Sequence, residues 1–271
     1  MMPSCMQQFL LTIILYAVTA GATAQTAVLP NAFSHNDYRR KRPLLDALNN
    51  GFRYVEADIY LRKGELIVAH ILPCLKPKRT LEALYLKPLL EYVQQDTASK
   101  DLNKWPLTLL IDIKSDADKT YQALLPLLEK YKSILSGYEN GQTTLRNVTI
   151  VLSGHKPQEL IKNTATGYVF MDDNLKNISP YTSTDLFPIA SCKYSRLLKW
   201  KGKGVIPASE IQRLAYYVEE AHRNGSKVRL WAAPQNKAVW NELLKCNVDL
   251  INTDHLSSLR SFLTASNAGS F

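Results

Sequence analysis

The run YVEADIYL at positions 54–61, followed after a turn at Lys63 and Gly64 by ELIVAH at 65–70, constrains the fold more than any other part of this chain. Its β-branched and aromatic residues predict a strand, and side chains alternate along a strand. Val55, Ala57 and Ile59 therefore share one face, and Glu56 and Asp58 share the other. A strand this apolar is expected to be buried on both faces, as in a parallel sheet. Two carboxylates aimed at one buried volume repel each other and take up a proton unless a cation or basic group offsets them, and a divalent metal is the simplest offset. His70, closing the second run, would stand beside the same volume. A half-exposed strand whose acids pair with nearby Lys and Arg is the plainer alternative.

The pattern recurs. LTLLIDIK at 107–114 is another apolar strand, with Asp112 and Lys114 two residues apart at its C-terminal end. Further strands are predicted at 32–35, 148–152, 168–171, 187–192, 227–231 and 248–252, which makes eight. Between them helices are predicted at 43–50, at 81–95 with an interruption at Pro88, at 120–135, at 157–163, at 210–223 with Ser209 as its cap, and at 238–245. Eight strand and helix units predict an α/β chain folded as a single (β/α)8 TIM barrel over residues 26–271. A doubly wound open sheet would ordinarily carry a Gly-rich phosphate turn after its first strand, and none is present. In a barrel the active site lies where the strands end. His35, Glu56, Asp58, Asp112, Lys114, Asp172, Lys193, Trp231 and Asn252 are thus expected to ring one mouth.

Residues 9–24 form an apolar run closing in ATAQ at 22–25, which predicts a signal peptide over 1–25 and an exported protein, periplasmic or secreted. The run is short for a membrane-spanning helix, which needs about 20 apolar residues. Cys5 would leave with it. Cys74, Cys192 and Cys246 are too widely spaced for a disulfide framework or a zinc site, although one bridge is possible. Thirty-three basic against twenty-four acidic side chains give +9, an excess that favours anionic ligands or surfaces such as phosphate and acidic lipid. The charges are scattered, so a basic protein with no polyanion partner stands evenly beside one that makes peripheral contact with an anionic membrane surface, and no specific nucleic-acid partner is expected.

Two His, three acids and a Lys at strand ends are the parts needed to cleave a phosphodiester. One divalent ion, Mg²⁺ or Ca²⁺, held by Glu56, Asp58 and Asp112 would neutralise phosphoryl oxygens, and Lys114 would add positive charge. His35 and His70 would divide the proton transfers, because imidazole titrates near neutrality. Trp231 reads equally well as core or as a pocket wall. His155 and His222 read as solvated surface.

His35, Glu56-x-Asp58, His70 and Asp112-x-Lys114, each at the end of an early strand, resemble the glycerophosphodiester phosphodiesterase and phosphatidylinositol phospholipase C superfamily, from about residue 32 to 263. The wording His35-Asn-Asp-Tyr38 with Glu56-Ala-Asp58 is most similar to the branch named for the altered-inheritance-of-mitochondria protein. The resemblance implies a TIM barrel, a Mg²⁺ or Ca²⁺ site at Glu56, Asp58 and Asp112, and an acid/base pair at His35 and His70. It also implies hydrolysis of glycerophosphodiesters or lipid phosphodiesters. Lys114 and Trp231 match positions that line the substrate pocket of the similar sphingomyelinase-D-type enzymes, and Lys193 is expected beside them. Two departures stand out: Asn36-Asp37 replaces the Arg-Gly that usually follows the first His, and the third acid is Asp112 rather than Glu. A lyase giving a cyclic phosphate and a non-catalytic barrel that only binds an anion are the alternative readings.

Overall fold

All eight expected strands form in the computed structural model, which describes residues 27–71, 79–95, 102–178 and 185–268. They are β1 (Leu29–Ser34), β2 (Phe52–Arg62), β3 (Leu107–Ile113), β4 (Val148–Gly154), β5 (Val169–Asn174), β6 (Ile189–Lys193), β7 (Lys227–Trp231) and β8 (Ile251–Thr253). Each pairs in parallel with its sequence neighbour from β1 to β7, and β1 also pairs with β8. The last seam, between β7 and β8, is a single parallel bridge at Arg229 and Leu250, with Leu250 N–H donating to Val228 O at 3.0 Å. The sheet is a nearly closed TIM barrel. The expected leader and Cys74 lie outside the described residues, and Cys192 and Cys246 are free thiols.

Period-two alternation sorts the side chains as the fold requires. Phe33, Leu110, Val151, Phe170, Ile189 and Leu250 form a cluster inside the barrel, while Val55, Ala57, Leu109, Ile111 and Val228 face the helices. The strands outlast that inner cluster at their C-terminal ends, and there the inward positions are polar. Beyond the barrel β2 continues into an antiparallel partner, Glu65–Val68, and Ala69 N–H donates to Asp58 O at 3.0 Å. This return brings the chain back level with the acids of β2.

Three local expectations are corrected. The helix at 81–95 is not interrupted by Pro88: a wide π-type turn over Glu82–Leu86 runs directly into Lys87–Val93. Proline lacks an N–H and crowds the carbonyl four residues back, and widening the preceding turn relieves both. Ser209 does not cap its helix, which starts at Ala208 behind Pro207, and Glu210 instead turns back to accept from Lys199 N and Trp200 N. A hairpin not expected from the sequence, Gly137–Glu139 with Gln142–Thr144, precedes β4 and packs Tyr138 edge-on to Phe170 at 6.0 Å. Its turn, Asn140-Gly141, takes left-handed angles at both residues, the conformation that favours Asn-Gly in two-residue hairpins.

The loop after β1 is fixed by one buried carboxylate. Asp37 accepts from Leu44 N at 2.6 Å, Ser34 Oγ at 2.9 Å, Tyr85 OH at 3.1 Å and Arg40 Nε at 3.3 Å. Burial pushes its pKa up, against the pull of those four donors. Replacing it with alanine strands several buried donors at once. Asp37→Ala is expected to lower unfolding stability by about 3 kcal/mol or more in a urea titration, and Asp37→Asn by less. A change within about 0.5 kcal/mol would show that the loop is held by something else.

Candidate active site

β2 and β3 run in register, with Asp58 beside Asp112, so Glu56, Asp58 and Asp112 converge at one end of the barrel. One oxygen of each lies within 4.8 Å of one from the others. Gly154, at the end of β4, makes room for the third acid: its φ is +67°, and a Cβ there would stand 2.1 Å from Asp112 Oδ1. Only glycine combines that backbone with that clearance.

The chain's own cations offset part of this charge. Arg229 of β7 reaches across the barrel, its Nη2 donating to Glu56 Oε2, its Nε to Asn252 Oδ1 at 2.9 Å, and its guanidinium lying 4.1 Å from the Phe33 ring centre. Burial drives the Glu56 carboxyl above its usual pKa, and the Arg229 charge opposes that rise. Lys114 Nζ lies 2.6 Å from Asp112 Oδ2 and 3.5 Å from Asp58 Oδ2. Its burial works against the charged form, but Asp112, Asp58 and Glu56 outweigh it and hold its pKa above the usual lysine value. His70 Nδ1 is 2.7 Å from Asp58 Oδ2, which also accepts from Tyr38 OH at 3.0 Å. That oxygen is saturated. Its twin, Asp58 Oδ1, is buried without a protein partner. Hard carboxylate oxygens with one orphaned lone-pair site suit a divalent cation, so Glu56, Asp58 and Asp112 are the residues able to hold one.

His35 is aimed by residues from both ends of the chain. Its Nδ1 is 2.9 Å from Asp254 Oδ1, and Asn36 Nδ2 donates to that same oxygen at 3.0 Å. Burial opposes ionisation of Asp254, yet the bonds from Asn36 and Gln235 and the charge of His35 hold its pKa below the usual carboxylate range. Nδ1 also lies 2.9 Å from Asn36 Nδ2, and Nε2, on the far side of the ring, stands 3.8 Å from Glu56 Oε1. Asn36 is a left-handed residue, φ 50°, whose Oδ1 in turn receives Tyr38 OH at 2.5 Å.

Six of the residues expected at the mouth therefore meet: His35, Glu56, Asp58, His70, Asp112 and Lys114. Lys193 and Trp231 stand side by side on β6 and β7, Lys193 Nζ lying 5.8 Å from the centre of a Trp231 ring that is 39% exposed. They contact each other, and Trp231 is a rim residue instead of core. Asp172 is buried with Oδ2 accepting from Ser153 Oγ at 2.9 Å, its pKa raised by burial and countered by Arg229. His155 and His222 are exposed, as expected, with His222 Nε2 2.8 Å from Asp249 Oδ2 and His155 Nδ1 3.1 Å from Ser115 O. Sequence reasoning assigned no role to Arg229, Tyr38 or Asp254. Arg229 did carry a signal, because it shares strand parity with the inward Trp231.

A family described as the AIM6-like phosphodiesterase domain matches residues 23–172, which contain the first four barrel strands, the start of the fifth and all six of the convergent residues. The altered inheritance of mitochondria protein 6 of Eremothecium gossypii is 30% identical over 91% of this chain and 72% of that protein. This chain belongs to the AIM6-like phosphodiesterase family. The homolog from Arthroderma benhamiae is 25% identical over 84% of this chain and 82% of its own length. Among solved structures, a glycerophosphodiester phosphodiesterase from Parabacteroides distasonis has the same fold, with a TM-score of 0.54 and 15% identity, covering 88% of this chain and 99% of that one.

In this AIM6-like barrel, removing Arg229 leaves Glu56 buried without its counter-charge. Arg229→Met is expected to cost about 3–5 kcal/mol of stability at alkaline pH. The Glu56 pKa, already raised in the folded state, rises further, so the folded chain binds a proton that the unfolded chain does not. The deficit should shrink as pH falls towards that raised value. Urea unfolding in EDTA at acid and alkaline pH measures it, and a deficit independent of pH would rule out the pairing.

Proposed function

We propose that this chain is a metal-dependent phosphoric diester hydrolase, exported from the cell, that acts on glycerophosphodiesters or lipid phosphodiesters. Membership of a phosphodiesterase-domain family supports the reaction class. The single observation carrying the residue assignment is the meeting of three carboxylates with two carboxylate-tethered imidazoles at one barrel mouth. Glu56, Asp58 and Asp112 would hold one Mg²⁺ or Ca²⁺, which when bound supplies Lewis-acid neutralisation of phosphoryl oxygens.

His35 is tethered through Nδ1 to Asp254, which leaves its Nε2 to take a proton from the attacking hydroxyl or water. His70 is tethered through Nδ1 to Asp58, which leaves its Nε2 to give a proton to the departing alkoxide. Lys114, held protonated by its three acidic neighbours, offers positive charge to the developing phosphoryl oxygens. Where an arginine usually follows the first His, Asn36 and Asp37 position the loop instead. Lys114 is then the cation nearest the acids that a diester can share. Lys193 and Trp231 form the wall that the rest of the substrate would meet.

His35→Ala and His70→Ala should each lower kcat/KM on a glycerophosphodiester by roughly 10²–10⁴-fold. EDTA should abolish turnover, and Mg²⁺ or Ca²⁺ should restore it. Full activity in EDTA, or in the double His variant, is the result that ends this reading. Phosphorus NMR of the product separates hydrolysis from release of a cyclic phosphate. Asp254→Asn should lower kcat by about 10–100-fold with little change in KM, because it frees the ring that the carboxylate orients. An equal rise in KM would make Asp254 a binding group.

A further inference from the structure

The loop joining β6 to the helix Ala208–Arg223 lies on the same face of the barrel as the acids, because every strand-to-helix loop does. Between Lys193 and Val205 it carries five basic side chains, Lys193, Arg196, Lys199, Lys201 and Lys203, and no acid. Lys199, Lys201 and Lys203 are exposed, and none forms an ion pair with a described residue. Val205 is 92% exposed, the most exposed large apolar side chain among the described residues, and Ile71, next to His70, follows at 76%.

The loop is nevertheless firmly built. Lys199 N and Trp200 N donate to the buried Glu210 at 2.9 and 3.1 Å, Trp200 Nε1 donates to Lys203 O at 2.8 Å, and Tyr194 OH donates to Trp200 O at 2.7 Å. Asn236, just past β7, donates to Lys201 O at 3.2 Å. All these bonds use backbone atoms of the lysine stretch. The ammonium groups of Lys199, Lys201 and Lys203 and the Val205 side chain are thus displayed on a fixed frame, the three ammonium groups with no ion-pair partner among the described residues.

We infer that this loop docks the barrel mouth onto an anionic lipid bilayer, with Lys199, Lys201 and Lys203 on the headgroups and Val205 entering the acyl boundary. Resting on the phosphodiesterase reading above, this makes the substrate a phosphodiester presented in a lipid surface. Charge complementarity selects an anionic surface. A fully exposed aliphatic side chain among lysines gains free energy by leaving water at a bilayer, and gains none on a solvated phosphate backbone. The same features therefore favour lipid over nucleic acid.

The test is co-sedimentation of the full chain with vesicles of phosphatidylcholine alone or mixed with phosphatidylserine, in EDTA so that no turnover occurs. The wild type should bind the mixed vesicles and be released by high salt. The triple variant K199S/K201S/K203S should bind on the order of a hundredfold more weakly, at about fivefold per lysine. Val205→Ser should weaken binding severalfold without removing the salt dependence. Both variants should keep the wild-type melting temperature and the wild-type rate on a water-soluble diester. Failure of the wild type to bind, unchanged binding by the triple variant, or binding to RNA that outcompetes vesicles and ignores Val205→Ser overturns the docking. Vesicle binding by a chain that hydrolyses no diester would instead sink the phosphodiesterase reading and leave the docking standing.

Discussion

The buried pair of Arg229 and Glu56 is the interaction on which the rest of the mouth depends. It ties β7 to β2 across the barrel, and through Asn252 it ties β7 to β8 at the one seam where the backbone ladder is reduced to a bridge. Side-chain exposure of 5% and 6% leaves neither charge with water as a fallback. An unpaired charge in such a place costs several kcal/mol, so each group requires the other. With Arg229 engaged on Oε2, Glu56 is left with Oε1 towards His35. One contact closes the barrel and sets the direction of an acid.

A second chain of dependence runs from structure to the imidazole. Asp37 gathers donors from four points and fixes the turn after β1, which places Asn36 in a left-handed conformation. Asn36 and His35 then share one oxygen of Asp254, itself held by Gln235 at 2.7 Å. Where Arg-Gly is expected after the first His, this chain has Asn36, which bonds the carboxylate that holds the ring, and Asp37, which anchors the loop. The two residues that differ from the pattern are the two that position the ring and the loop.

Period and parity made the barrel legible. Apolar runs of strand length, separated by helix-length segments, reveal eight strands, and acids two residues apart must share a face, so Glu56 and Asp58 follow from alternation, while Asp112 joins them through the register of the neighbouring parallel strand. Boundaries slipped where propensity was overruled by context, as at Pro88, absorbed by a widened turn, and at Ser209, displaced because Glu210 was needed by the loop before it. The Asn140-Gly141 hairpin was legible in principle, because that dipeptide suits its turn. The partners of the site were not. Asp254 stands 219 residues from His35, and Arg229 is 173 from Glu56, separations over which local pattern carries no information about contact.

Charge explains why centre and rim differ. Glu56, Asp58, Asp112 and Asp172 face Arg229 and Lys114, which leaves two negative charges in excess before any proton or ion is added. Burial already answers part of that excess by raising the pKa of Glu56 and of Asp172. On the metal-dependent reading one divalent cation would answer all of it. An anionic diester would be repelled by such a centre in the absence of a cation. On the docking reading the lysines of the rim have a distinct task, because they would meet anionic headgroups while the carboxylates would bind the cation that holds the diester. Opposite charges at rim and centre thus act on successive stages of the same encounter.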